Sequence, residues 1–156
     1  MNSVLRLSIC LLLMLFPAGS LLAGGNKAKV SVSFHIETEA TDNPKMIFPM
    51  DVSGKQRFFR RIPEISTKDL VAFTPFPADD QESYGVVFQL KDTSRRRFAA
   101  VTADNRGRWL ISQAFGRPVD AVLIDEPVDD GAIVIWKGLT LEEIRELDKA
   151  MKRIGE

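Results

Sequence analysis

Hydrophobic and polar positions along the chain predict most of its elements before any composition is considered. Residues 30–37 alternate strictly, with Val30, Val32, Phe34 and Ile36 on one face and Ser31, Ser33, His35 and Glu37 on the other. That period of two is the mark of a half-buried strand. Residues 46–52 and 56–62 flank Ser53-Gly54 and predict a hairpin. Pro49 interrupts its first arm, which must then be an edge or irregular strand, because proline cannot donate to a ladder. Ser66 to Asp69 offers caps for one helical turn, but Val71, Phe73, Pro75 and Pro77 favour an extended segment, followed by a polar connector to Ser83.

Residues 85–90 (GVVFQL) predict the next strand. Asp92 or Thr93 is placed to cap a helix running to about Asn105, with Phe98, Val101 and Thr102 inward and Gly107 ending it. Residues 108–115 predict a strand and Gly116-Arg117 a tight turn. In residues 117–140, two apolar runs, 119–125 and 132–136, flank Asp129-Asp130-Gly131, which predicts two strands meeting across a turn, the second broken by Gly138. Thr140 and Glu143 form a capping box, and Ile144, Leu147, Met151 and Ile154 recur at steps of three and four, so the last element is an amphipathic helix. The sum is an α+β fold: an antiparallel or mixed sheet with two main helices packed on one face.

Composition changes the picture at the N-terminus. Arg6, an apolar run from Leu7 to Phe16, Pro17, and then small residues at Ala18, Gly19, Ser20 and Ala23 have the layout of a secretory signal peptide. Residues 1–23 are therefore expected to be removed, with cleavage near Ser20 or Ala23, leaving residues 24–156 as a single periplasmic or secreted domain. An N-terminal membrane anchor is the alternative, but ten apolar residues fall well short of the roughly 20 that span a bilayer. The 156 residues carry 21 basic and 21 acidic side chains, so no global charge draws the chain to nucleic acid. Cys10 is the single cysteine and lies in the leader. Disulfides and thiolate chemistry are then excluded from the mature chain.

Candidate chemistry is sparse. His35 is the only histidine and has no nucleophile or orienting partner near it in sequence, so it reads as a solvated strand histidine. Asp120, Asp125, Glu126, Asp129 and Asp130 lack the alternate-ligand spacing of a calcium loop, and turn chemistry accounts for the last two. Arg95, Arg96 and Arg97 spread over about 200° of helix and read as a solvated face. No serine sits in a Gly-x-Ser-x-Gly elbow. The chain is expected to be no enzyme and to need no metal or cofactor.

From residue 85 onward the order of signals resembles one family. GVVFQL, FAAVTADNRGRWL, FGRPVDAVLIDEPVDDGAIVI and GLTLEEIRELDKAMK are similar to the first periplasmic domain of SecD and SecDF around its head subdomain. Leu90, Phe98, Thr102, Asn105, Gly107, Gly116, Pro127, Gly131, Gly138, Thr140, Glu142 and Glu143 fall in the family's places. Residues 85–156 would then be the SecD-like part. The resemblance implies a binding module contacting polypeptide or an envelope protein partner, without the family's polytopic membrane part and its carboxylates. A self-associating structural envelope protein is the rival. Exposed strand edges, at the Pro49 strand or at residues 132–136, are the expected mode of contact. Trp136, Trp109 and Tyr84 are the candidate anchors, with a place in the core as the competing reading for each.

Overall fold

The computed structural model describes residues 30–156; the expected signal peptide and its cleavage site lie outside the described residues. The strands are β1 (Val32–Thr38), β2 (Ile47–Val52), β3 (Lys55–Arg60), β4 (Ile65–Ser66), β5 (Leu70–Pro77), β6 (Tyr84–Leu90), β7 (Trp109–Ala114), β8 (Arg117–Leu123), β9 (Ala132–Leu139) and β10 (Lys152–Arg153). The helices are α1 (Asp92–Asp104) and α2 (Leu141–Ala150), and a single 3-10 turn spans Thr67–Asp69. The fold is α+β, and its strands divide between two sheets. One runs β2-β3-β1-β7-β8 with β4 added to β1; the other runs β10-β5-β6-β9. All pairings are antiparallel except β10 with β5, so the architecture is mixed.

The alternation read in β1 explains how the sheets meet. Val32, Phe34 and Ile36 point to a buried cluster shared with Phe73, Val86 and Phe88 of the second sheet. The Phe34 and Phe88 rings stand edge to face, 6.4 Å apart. Both helices bury one stripe in the same cluster, α1 through Phe98 and α2 through Ile144 and Leu147. Burying each of these large side chains stabilises the fold by about 1.5–3 kcal/mol before entropy is counted.

The opposite face of β1 is also covered. β3 joins only the far end of β1, at Glu37↔Phe59 and Thr38↔Phe58, so the β2–β3 hairpin leans over the sheet's outer face. Val52, Phe59 and Ile111 form a second buried cluster there, flanked by Phe48, Met50 and Trp109. His35 is consequently buried rather than solvated, which corrects the sequence expectation. The covering residues lie far along the chain, beyond the reach of a local pattern. The Ser53-Gly54 turn forms as expected, and the Pro49 strand is indeed the edge.

Five local details differ from the sequence reading. The tight turn is centred on Phe115 and Gly116, both at positive φ, and Arg117 already belongs to β8. Residues 66–69 do make a turn, and the extended segment follows it as β5. α2 ends at Ala150, so Lys152 and Arg153 form a strand instead of a last helical turn; Arg153 pairs with Asp148 at 2.5 Å. The two strands of the 117–140 stretch do not pair with each other: β8 pairs with β7, and β9 with β6. Eight residues including Pro127 separate them, too many for a two-residue hairpin connection. Gly138 does not break β9 but sits inside it at φ +93°, where the register with β6 shifts. A Cβ there would stand 2.7 Å from the Val119 carbonyl, so only glycine lets β8 approach.

A cleft between two sheet edges

β8 closes one sheet and β9 the other, and the two edges lie side by side without forming a ladder. They touch at one end. There Gly138 meets Val119, Trp136 N–H donates to Asp120 Oδ2 at 2.8 Å, and Arg117 donates to the Gly138 carbonyl at 2.9 Å. Further along they diverge, leaving a cleft of about 640 Å³ whose floor is Phe98, Thr102, Leu110 and Ile133. Its walls are Val122, Leu123 and Ile124 on one side and Val134 and Trp136 on the other, and the loop from Asp125 to Asp130 crosses its base.

The main chain of these edges can be followed group by group, since every buried or half-buried amide needs a partner. Leu90 N–H donates to the Gly131 carbonyl at 2.8 Å, which sets the alternation of the β6–β9 ladder. Residues 131, 133 and 135 then bond to β6, and 132, 134 and 136 face outward. Two of those three outward amides are capped by carboxylates, Ala132 by Asp130 Oδ1 at 2.9 Å and Trp136 by Asp120. Val134 is left open. On β8, Ile124 N–H donates to the Arg108 carbonyl at 2.9 Å, so 122 and 124 face β7 while 121 and 123 face the cleft. Ala121 N–H is taken by Asp120 Oδ1, and Leu123 is left open. Leu123 stands on one wall of the cleft and Val134 on the other, so each wall keeps one open main-chain position beside the apolar gap.

No family model matches the sequence, and no curated protein matches it. Solved structures do. A structure of SecDF, described as a membrane component that enhances protein export, superposes with TM-score 0.52 at 19% identity, over 76% of this chain and 60% of that one. SecDF in a super-membrane-facing form superposes with TM-score 0.55 at 18% identity, over 79% of this chain and 19% of that one. The fold is SecD-like. The likeness reaches well beyond residues 85–156, where the sequence resemblance stopped, and the chain spans less than two thirds of either SecDF chain. Among the described residues, no helix is long and apolar enough to cross a membrane.

Of the three aromatic candidates, only Trp136 lines this cleft. It is 57% exposed, stands edge to face with Phe76 at 6.0 Å, and Leu123, 48% exposed, lies on the opposite wall. Trp109 sits on the outer sheet face, half-buried beneath the hairpin, with the Arg57 guanidinium 5.3 Å over its ring. Tyr84 is half-buried and packs against the main cluster where β6 begins. Leu123 and Val134 were not legible as site residues. Their position depends on which ladder each strand joins, although residues 132–136 did read as an edge.

Two polar clusters tie distant parts of the chain together outside the cleft. Asp69, in the turn before β5, accepts from Ser94 Oγ at 2.7 Å, Ser66 N–H at 2.9 Å, Ser66 Oγ at 3.0 Å and Arg97 at 3.1 Å, tying α1 to the β4–β5 corner. Burial alone pushes its carboxyl up, but these donors outweigh burial and hold it at about 2. Arg97, expected on a solvated face, is drawn into this knot. His35 Nδ1 lies 2.8 Å from the Arg60 carbonyl and Nε2 2.9 Å from Ser33 Oγ, with Phe48 edge-on at 5.4 Å. Nδ1 therefore carries the proton and donates. Burial lowers its pKa, against the opposing pull of the Arg60 carbonyl and the Glu64 charge.

Proposed function

We propose that this chain is an exported, non-enzymatic binding module that takes up extended polypeptide, from a passenger or an envelope protein partner, in the β8–β9 cleft. The observation that carries the reading is the pair of open main-chain positions, Leu123 and Val134, one on each wall of an apolar cleft. An extended segment laid between them adds a strand to both sheets at once. Main-chain hydrogen bonds supply the affinity, and alternate side chains reach the floor. The SecD-like fold supports a place outside the cytoplasm and a link to protein export, since the structures it superposes on belong to a component that enhances export. The Pro49 edge is the weaker candidate, because proline removes one donor from an incoming ladder.

An amide NMR titration with an unfolded secretory polypeptide tests the reading, with the folded form of the same polypeptide as control. Shifts confined to residues 121–124 and 132–136, seen only with the unfolded form, are expected. An unchanged spectrum at millimolar ligand overturns polypeptide binding. Line broadening that grows with protein concentration alone would instead favour self-association.

A further inference from the structure

We infer that Pro75 and Pro77 on β5, with Pro49 on β2, shut the outer edges of both sheets to strand addition and so direct an extended segment to the β8–β9 cleft, a directing role that rests on the polypeptide-binding reading above. Each sheet has one edge at the cleft and one on the outside: β2 in the first, β5 with its short partner β10 in the second. The phase of each ladder shows which main-chain groups an outer edge offers. Ala78 N–H donates to the Ser83 carbonyl at 3.0 Å, and the pairs from Ala72↔Gln89 to Pro77↔Tyr84 run without a shift. Residues 72, 74 and 76 therefore bond to β6, while 73, 75 and 77 face outward. β10 takes Phe73, whose carbonyl accepts Ile154 N–H at 3.0 Å. The outward positions left beyond it are Pro75 and Pro77, and neither has an N–H to give. On β2, Arg61 N–H donates to the Met46 carbonyl at 2.8 Å, so 46, 48, 50 and 52 bond to β3 and 47, 49 and 51 face outward. Pro49 is the middle one of the three, and it leaves the Ile47 and Asp51 amides roughly 14 Å apart.

In all three places the missing N–H costs the fold nothing, because the group would point away from the existing ladder. Its loss falls on a newcomer instead. A strand laid on β5 beyond β10 finds two carbonyls and no donor, and one laid on β2 loses its central donor. β10 is itself two residues long, and its outward Arg153 carbonyl already accepts Glu156 N–H at 3.3 Å. Short edges, charged side chains and outward prolines are the devices that keep an exposed sheet from pairing with other chains. The cleft edges carry none of them where they face the gap. Residues 121–124 and 132–136 contain neither a proline nor a charge, and among the described residues nothing takes the Leu123 and Val134 N–H groups.

An octapeptide alternating valine with threonine, titrated by amide NMR, tests this in the parent protein and in two variants: Pro75→Val with Pro77→Thr on β5, and Pro49→Thr on β2. In the parent, shifts are expected at residues 121–124 and 132–136 and none at 47–51 or 74–77. In the β5 variant the peptide should also bind at residues 74–77, two restored donors tightening that edge roughly thirty-fold at about five-fold per main-chain hydrogen bond. Pro49→Thr should open residues 47–51 by about five-fold. Pro49 is exposed, so that variant keeps the test standing if the loss of Pro75 unfolds the protein. Parent shifts at 47–51 or 74–77 overturn the closure of the outer edges. Folded variants that bind only in the cleft overturn the role of the prolines and leave the polypeptide-binding reading standing. Binding at the opened edges with none in the cleft overturns the polypeptide-binding reading and leaves the closure standing. Absence of binding by all three proteins at millimolar peptide overturns both together.

Discussion

Replacing Asp69 by Asn keeps the side chain's size and removes its charge. The carboxylate accepts four hydrogen bonds, two on each oxygen: Ser66 N–H and Ser66 Oγ on Oδ2, Ser94 Oγ and Arg97 on Oδ1. An amide can present only one oxygen. Whichever way Asn turns, its NH₂ faces either the Ser66 amide or the Arg97 guanidinium, donor against donor, in a site that is 6% exposed. A shift from 3.8 to about 2 corresponds to about 2.4 kcal/mol at pH 7. Arg97 stands half in solvent, so screening trims that to about 2 kcal/mol. The Ser94 and Ser66 bonds make up the larger share of that shift, so the expected loss for Asp69→Asn is about 2 kcal/mol. Urea unfolding of both proteins between pH 7 and pH 2 is the assay. The folded-state value lies below the unfolded one, so the carboxylate's contribution is complete above pH 3.8 and fades as pH falls through about 2. The difference between the two proteins must therefore shrink with acidification, and taking a difference cancels the other carboxylates. A gap that stays constant from pH 7 to pH 2 would refute the charge-based account, and a gap below 0.5 kcal/mol at pH 7 would refute the knot altogether.

Other expectations follow from the same geometry. Gly85→Ala places a Cβ 2.3 Å from the Phe76 ring and 2.6 Å from the Trp136 carbonyl, so thermal unfolding should show a loss of about 1–3 kcal/mol with altered tryptophan fluorescence. Thr140→Ala removes the oxygen that receives Glu143 N–H at 3.2 Å and should cost about 1 kcal/mol, read by urea unfolding. His35 contributes stability that is complete above pH 6.5 and is lost as pH falls through its lowered folded-state value, because the unfolded chain takes the proton first. In His35→Phe that acid-side slope should be absent when unfolding is followed from pH 8 to pH 5.

The 117–140 stretch shows how far local pattern reaches. Its strands, its Asp-Gly turn residues and the capping box after it were all legible, because each depends on neighbours a few residues apart. That the two strands belong to different sheets was not. β8 follows β7 through a tight turn at Phe115-Gly116, and β9 finds β6 more than forty residues upstream, where Phe88 stands opposite Ile133. The same limit hid His35, whose polar-face position in β1 was read correctly and whose burial is imposed by Phe48 on a hairpin that folds back.

By itself, then, the sequence determined most of the elements, the capping box of α2, the inward face of β1, the edge character of the Pro49 strand and the α+β class, whereas α1 begins after Lys91 with no side-chain cap in place of the expected Asp92 or Thr93. Periodicity and turn chemistry act over one to four residues. Only the tertiary structure decided that two edges stop short of pairing and that Leu123 and Val134 keep open main-chain groups. Those outcomes depend on which distant strands compete for each hydrogen-bonding edge and on the volume of Phe34, Phe73, Phe88 and Phe98 holding the sheets apart, and a local stretch of sequence carries neither.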